Sequence, residues 1–92
     1  MKTPVKLCLI GLGNFGRLLD RKIGRIKGLE ISYYYHPDTR KAKKFSPEKG
    51  TSDLRSALKN VDGVIITTPN HAHFSNIKKC IRCLRYITLT LI

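Results

Sequence analysis

The sequence predicts an α/β fold: a parallel sheet of about five strands in the order 3-2-1-4-5, covered by helices on both faces as a three-layer sandwich. Three observations lead there. An apolar run, Val5-Lys6-Leu7-Cys8-Leu9-Ile10, opens directly into the glycine turn Gly11-Leu12-Gly13-Asn14-Phe15-Gly16. Short apolar runs then alternate with segments of helical periodicity along the chain. A second continuous run, Val64-Ile65-Ile66-Thr67, suits a parallel strand covered on both faces. Such alternation implies parallel strands joined by right-handed crossovers. At 92 residues the chain is expected to form one domain, 1–92, with a small core.

Each element has a local reason. Val5 to Ile10 reads as a buried strand, in which Cys8 is a small core residue. In the turn that follows, Gly11 can adopt backbone angles closed to a residue with a Cβ. Gly13 lets a phosphate approach the backbone, and Gly16 lets the helix pack near the strand. The helix start offers N–H groups and the positive end of its dipole to an anion. Phe15, Leu18, Leu19, Ile23 and Ile26 recur at helical spacing with charges between them. Gly24 weakens this helix and Gly28 is expected to end it.

Residues 29–35 are rich in β-branched and aromatic side chains and predict a second strand. His36-Pro37-Asp38-Thr39 breaks it, and Asp38 or Thr39 caps a short basic helix reaching about Phe45. A loop over 46–50 leads to a remnant third strand at Thr51 and Ser52. Asp53 caps a further helix whose Leu54, Ala57, Leu58 and Val61 face inward. Asp62-Gly63 is a turn into the fourth strand, which Thr68-Pro69-Asn70 stops. Asn70 caps a helix with Phe74, Ile77, Ile81 and Leu84 as its buried stripe, and 86–92 predicts the last strand. In this order the sheet reverses between strands one and four. The glycine turn and Thr68-Pro69-Asn70 both fall at that switch point, where ligands of open α/β sheets bind.

Composition bounds the partners. The apolar runs are too short to span a bilayer and no signal-peptide cleavage site follows the first of them, so a cytoplasmic location is expected. Cys80-Ile81-Arg82-Cys83 has the spacing of a redox or metal pair, but in the middle of a helix rather than at the strand-to-helix opening where redox pairs sit, and His71 and His73 lie upstream. On one helix, however, Cys80 would lie about 10 Å beyond His73 at ~1.5 Å per residue. No metal is therefore expected. Eighteen Lys and Arg against six Asp and Glu give a formal charge of +12. Such a surface attracts anions. The bases are spread over Arg17, Arg21, Lys22, Arg25 and Lys27, then Lys41, Lys43 and Lys44, then Lys78, Lys79, Arg82 and Arg85. These are outward positions of amphipathic helices, which solvation explains. A nucleic acid would need them gathered on one face, and is the less favoured partner.

The chain resembles the N-terminal, NAD(P)-binding Rossmann domain of the Gfo/Idh/MocA oxidoreductases, which act with NAD or NADP on sugars, inositols and related polyols. The likeness rests on Ile10-Gly11-Leu12-Gly13-Asn14-Phe15-Gly16, on 38–42, and on the segment from Val61-Asp62-Gly63 through Thr68-Pro69-Asn70-His71-Ala72-His73. The last is the most specific: an aspartate, an apolar strand, Thr-Pro-Asn, and a histidine three residues after the Asn.

The resemblance implies that Gly11, Gly13 and Gly16 hold a pyrophosphate, with the backbone of Asn14 and Phe15. Thr68, Pro69 and Asn70 would line the path to the nicotinamide ribose, with His73 at the head of the next helix. It also implies two departures. His36 stands where the family places an acid for the adenosine ribose, and Arg40 and Lys41 are close by, which favours NADP over NAD; Asp38 could still reach the ribose. Thr90, Leu91 and Ile92 stand where the family has Glu-Lys-Pro, whose lysine serves catalysis. The expectation is a cofactor domain, truncated before the substrate domain, with no catalytic residue of its own and completed, if at all, by a separate chain. It is expected to pair as a homodimer through the apolar edge at Leu89, Leu91 and Ile92. The alternative is a non-enzymatic nucleotide-sensing or anion- and nucleic-acid-binding module using the basic surface.

Overall fold

The structure, a computed structural model, describes residues 4–67 and 88–89. The predicted strand over Val5–Ile10 is β1, and its last four residues are buried. Such a segment has to lie mid-sheet, and β1 pairs with a strand on each side. To one side is β2 (Leu29–Tyr35), followed by the short edge strand β3 (Gly50–Thr51). To the other is β4 (Gly63–Ile66), followed by β5 (Thr88–Leu89). All pairs are parallel and the order is β3-β2-β1-β4-β5, as the alternation of elements predicts.

Three described helices lie between these strands: α1 (Asn14–Ile23), α2 (Thr39–Phe45) and α3 (Leu54–Lys59). Two separate clusters of apolar side chains show how they are layered. Leu7, Leu9, Ile31, Tyr34 and Ile65 pack with Ile23 and Leu19 of α1 and with Phe45 of α2. Cys8, Ile10, Tyr35, Val64 and Ile66 pack with Leu54, Ala57 and Leu58 of α3. Thus α1 and α2 share one face of the sheet and α3 covers the other. The change of face comes with the crossover from β3 to β4, which places the reversal of strand order between β1 and β4.

Side chains cap the two later helices. Asp38 accepts the Arg40 N–H at 2.9 Å and Asp53 accepts the Ser56 N–H at 3.1 Å. Asp62 is more than a turn residue. Its carboxylate accepts the Lys6 N–H at 2.9 Å and its own N–H donates to the Lys6 carbonyl at 2.7 Å, which extends the β1–β4 ladder by one residue.

The structure corrects two local expectations and adds one feature. Gly24, not Gly28, caps the C-terminus of α1, so Ile26 lies beyond the helix and is exposed, as is Leu18. The third strand is Gly50–Thr51 and stops before Ser52. Finally, β2 carries an extra residue. Leu7 pairs with Ile31 but Cys8 pairs with Tyr33, which leaves Ser32 as a bulge. Strict alternation would put Ile31 and Tyr34 on opposite faces. The bulge puts both on the α1 face, where the Tyr34 hydroxyl donates to Asp20 of α1. The expected helix over 70–84 lies outside the described residues.

Candidate functional site

The site begins with the backbone of Gly11, whose φ of +103° only glycine adopts without strain. This lets the chain turn sharply out of β1 into α1. Gly16, in the first turn of α1, comes so close to Gly11 that a Cβ there would lie 2.3 Å from the Gly11 carbonyl oxygen. A side chain at Gly16 would force the turn apart. Gly13 differs: among the described residues a Cβ at that position would meet nothing within 4 Å. Its missing side chain leaves open space in front of the helix rather than room for a neighbour.

That space faces the start of α1. Gly13 is the N-cap, with extended backbone and no side-chain cap, and the first turn contains no acid. Both later helices are capped by aspartate; α1 leaves this role vacant. An anion in front of Gly13 would meet backbone N–H groups and the positive end of the helix dipole.

Thr67 ties this turn to the end of β4. Its N–H donates to the Ile10 carbonyl at 2.8 Å, and its hydroxyl lies 2.9 Å from the Gly11 carbonyl and 3.2 Å from that of Ile10. The loops leaving β1 and β4 therefore start side by side, at the switch point. The sequence reading ends the strand at Thr67 and assigns it no part in the site; its role depends on a neighbour 56 residues away. Thr68, Pro69, Asn70 and His73 lie outside the described residues.

The segment after β2 is also at this end of the sheet. The His36 N–H donates to the Thr51 carbonyl at 3.1 Å, and its Nδ1 accepts the Asp38 N–H at 2.9 Å. A ring nitrogen that accepts carries no proton, so in the neutral imidazole the proton is on Nε2. His36 is thus held as a hydrogen-bond donor, the reverse of a carboxylate. One carboxylate oxygen of Asp38 is already engaged as the α2 cap. Arg40 and Lys41 are exposed in the first turn of α2. Among the described residues no three His, Cys, Asp or Glu converge as metal ligands, and no helix is long and apolar enough to cross a membrane. Cys80, Cys83, His71 and the bases at 78–85 lie outside the described residues.

A parallel sheet that reverses beside a glycine turn and an uncapped helix defines a Rossmann-type dinucleotide-binding domain. The family model for the Gfo/Idh/MocA oxidoreductases, described as an oxidoreductase family with an NAD-binding Rossmann fold, matches residues 5–86, and the chain belongs to this family. Among solved structures it is similar to a protein from Desulfitobacterium hafniense described as an NADPH-dependent oxidoreductase, with 28% identity and a TM-score of 0.85. That match covers 97% of this chain and 27% of the other. The fold is shared with UDP-N-acetylglucosamine 3-dehydrogenase from Acidithiobacillus ferrooxidans, at 21% identity, TM-score 0.76, and 94% and 30% coverage. It is also shared with scyllo-inositol dehydrogenase from Lactobacillus casei, solved with NAD(H) and scyllo-inositol, at 17% identity, TM-score 0.77, and 95% and 28% coverage. The chain thus spans less than a third of the length of these proteins. No curated protein matches it.

Proposed function

We propose that this chain binds a nicotinamide dinucleotide across the carboxyl ends of β1 and β4, prefers NADP to NAD, and does not turn over a substrate unaided. The observation that carries this reading is the space at Gly13, which no described residue fills, in front of the uncapped start of α1. Backbone groups from Gly11 to Gly16, including those of Asn14 and Phe15, would hold the diphosphate. Thr68, Pro69 and Asn70 would line the path to the nicotinamide ribose, with His73 beside it.

The preference for NADP rests on His36. A carboxylate would accept hydrogen bonds from a ribose and repel a 2′-phosphate. An imidazole that donates from Nε2, with Arg40 and Lys41 nearby, suits a phosphate instead. The Desulfitobacterium relative, described as NADPH-dependent, points the same way.

The bound nicotinamide supplies a hydride acceptor or donor; the chain's part is to bind and orient it. Proton transfer would fall to a lysine that the family carries in Glu-Lys-Pro. Here Thr90, Leu91 and Ile92 occupy those positions. A second copy would pair at the β5 end of the sheet order. A monomer by light scattering at high concentration contradicts the pairing.

Fluorescence titration with NADPH and NADH tests the proposal. Tighter binding of NADPH is expected, with the preference lost in His36→Asp, a change of roughly tenfold for about 1.4 kcal/mol. Binding of neither dinucleotide overturns the reading. Turnover of a polyol by the chain alone overturns its third part.

A further inference from the structure

The sequence scatters its bases; the fold collects many of them. Because α1 and α2 lie on the same face of the sheet, their outer surfaces form one layer. Arg17, Arg21 and Lys22 on α1 and Arg40, Lys43 and Lys44 on α2 are all exposed in that layer. Along each helix, residues four apart sit about 6 Å apart at ~1.5 Å per residue. The acids of these helices do not offset the charge. Asp20 receives the Tyr34 hydroxyl beneath α1, and Asp38 caps α2. On the opposite layer, α3 carries only Arg55 and Lys59 as bases, beside Asp53 and Asp62.

We propose that the outer face of α1 and α2 binds the phosphate backbone of a nucleic-acid duplex without reading its sequence. The surface combines six exposed cations with one exposed acid, Asp38 at the start of α2, an excess that matches a partner carrying one charge per about 1.7 Å of axis. A duplex is favoured over a single strand because base stacking needs an accessible ring. Phe45, the described ring on this layer, is half-buried and lies under the Arg17 guanidinium, 5.3 Å from its centroid. The competing partner is an acidic protein, since Leu18 and Ile26 are exposed among these bases. This face shares Arg40 with the proposed 2′-phosphate site, but Arg21 and Lys44, which the test changes, have no part in that site, so either proposal can fail without the other.

The test is fluorescence anisotropy with a labelled 20-base-pair duplex of mixed sequence over a series of salt concentrations, with poly-glutamate as competitor. Two double variants change net charge equally: Arg21→Glu with Lys44→Glu on this face, and Arg55→Glu with Lys59→Glu on the opposite layer. Circular dichroism checks that both are folded. With about six phosphate contacts, log K should fall with log salt at a slope of about −5. The first variant should flatten that slope by about 2 and weaken binding at low salt at least tenfold, as expected for lost phosphate contacts. The second should change neither. Equal loss in the two variants, no salt-dependent binding, or poly-glutamate binding as tightly as the duplex would each overturn the proposal.

Discussion

Gly13 and Gly16 are three residues apart in one turn, and the structure asks opposite things of them. A methyl group at Gly16 collides with the Gly11 carbonyl; one at Gly13 projects into open space. Gly16→Ala should therefore destabilise the fold by about 1–3 kcal/mol through overpacking, lowering Tm by roughly 4–8 °C per kcal/mol in a domain of this size. Gly13→Ala should leave Tm within a few degrees while weakening dinucleotide binding. Thermal melts paired with an NADPH titration separate the two effects. The glycine pattern is legible in the sequence because the residue type itself encodes the constraint. Thr67 is not legible, because a threonine ending an apolar strand is ordinary until Gly11 is brought to within 2.9 Å of its hydroxyl. The donor state of His36 likewise depends on the path of the chain to Asp38.

At the scale of the element, α1 is fastened to β2 by Tyr34, whose hydroxyl donates to Asp20 and whose ring packs on Phe45 with centroids 5.1 Å apart. Burial, and then the bond to Asp20, push the Tyr34 pKa well above its usual value of 10.0. The folded protein thus keeps a proton that the unfolded chain loses above about pH 10. Stability from this group is fully present below pH 10 and declines as pH rises past it. Tyr34→Phe should cost about 1 kcal/mol at neutral pH and should show a shallower decline above pH 10 than the wild type. Parallel profiles of Tm against pH for the two proteins would contradict this.

The bulge in β2 makes a second prediction for this scale. Deleting Ser32 leaves Ile31 opposite Leu7 and Tyr33 opposite Cys8, so each retained side chain keeps its face. The deletion should fold with Tm within a few degrees of the wild type, as measured by circular dichroism. An unfolded product would show that the extra residue is required. The boundaries of β1 and β2 were readable because their apolar and aromatic runs end at glycine or at His36-Pro37. The bulge was not, because Tyr33, Tyr34 and Tyr35 are equally suited to either face and only pairing with β1 separates them. The end of α1 is not legible for a related reason. Ile26 continues the helical spacing beyond Gly24, but no partner on the sheet receives it.

For the whole molecule, strand order follows from the alternation of elements, because short crossovers of one hand leave few arrangements of a parallel sheet. The clustering of bases on the α1–α2 layer did not follow. Charges distant in sequence become neighbours only once both helices are placed on one face. The same placement brings the β1 and β4 loops together at the switch point, beside a start of α1 that no described residue covers. The central claim is that this start, with the turn before it, receives a diphosphate. Amide chemical-shift mapping by NMR during titration with NADP tests it most directly. The predicted result is that the largest changes fall on Gly11 to Gly16 and Thr67, while the β1 and β2 starts at Val5 and Leu29 stay still. Changes centred on those strand starts, or none at saturating NADP, would contradict it.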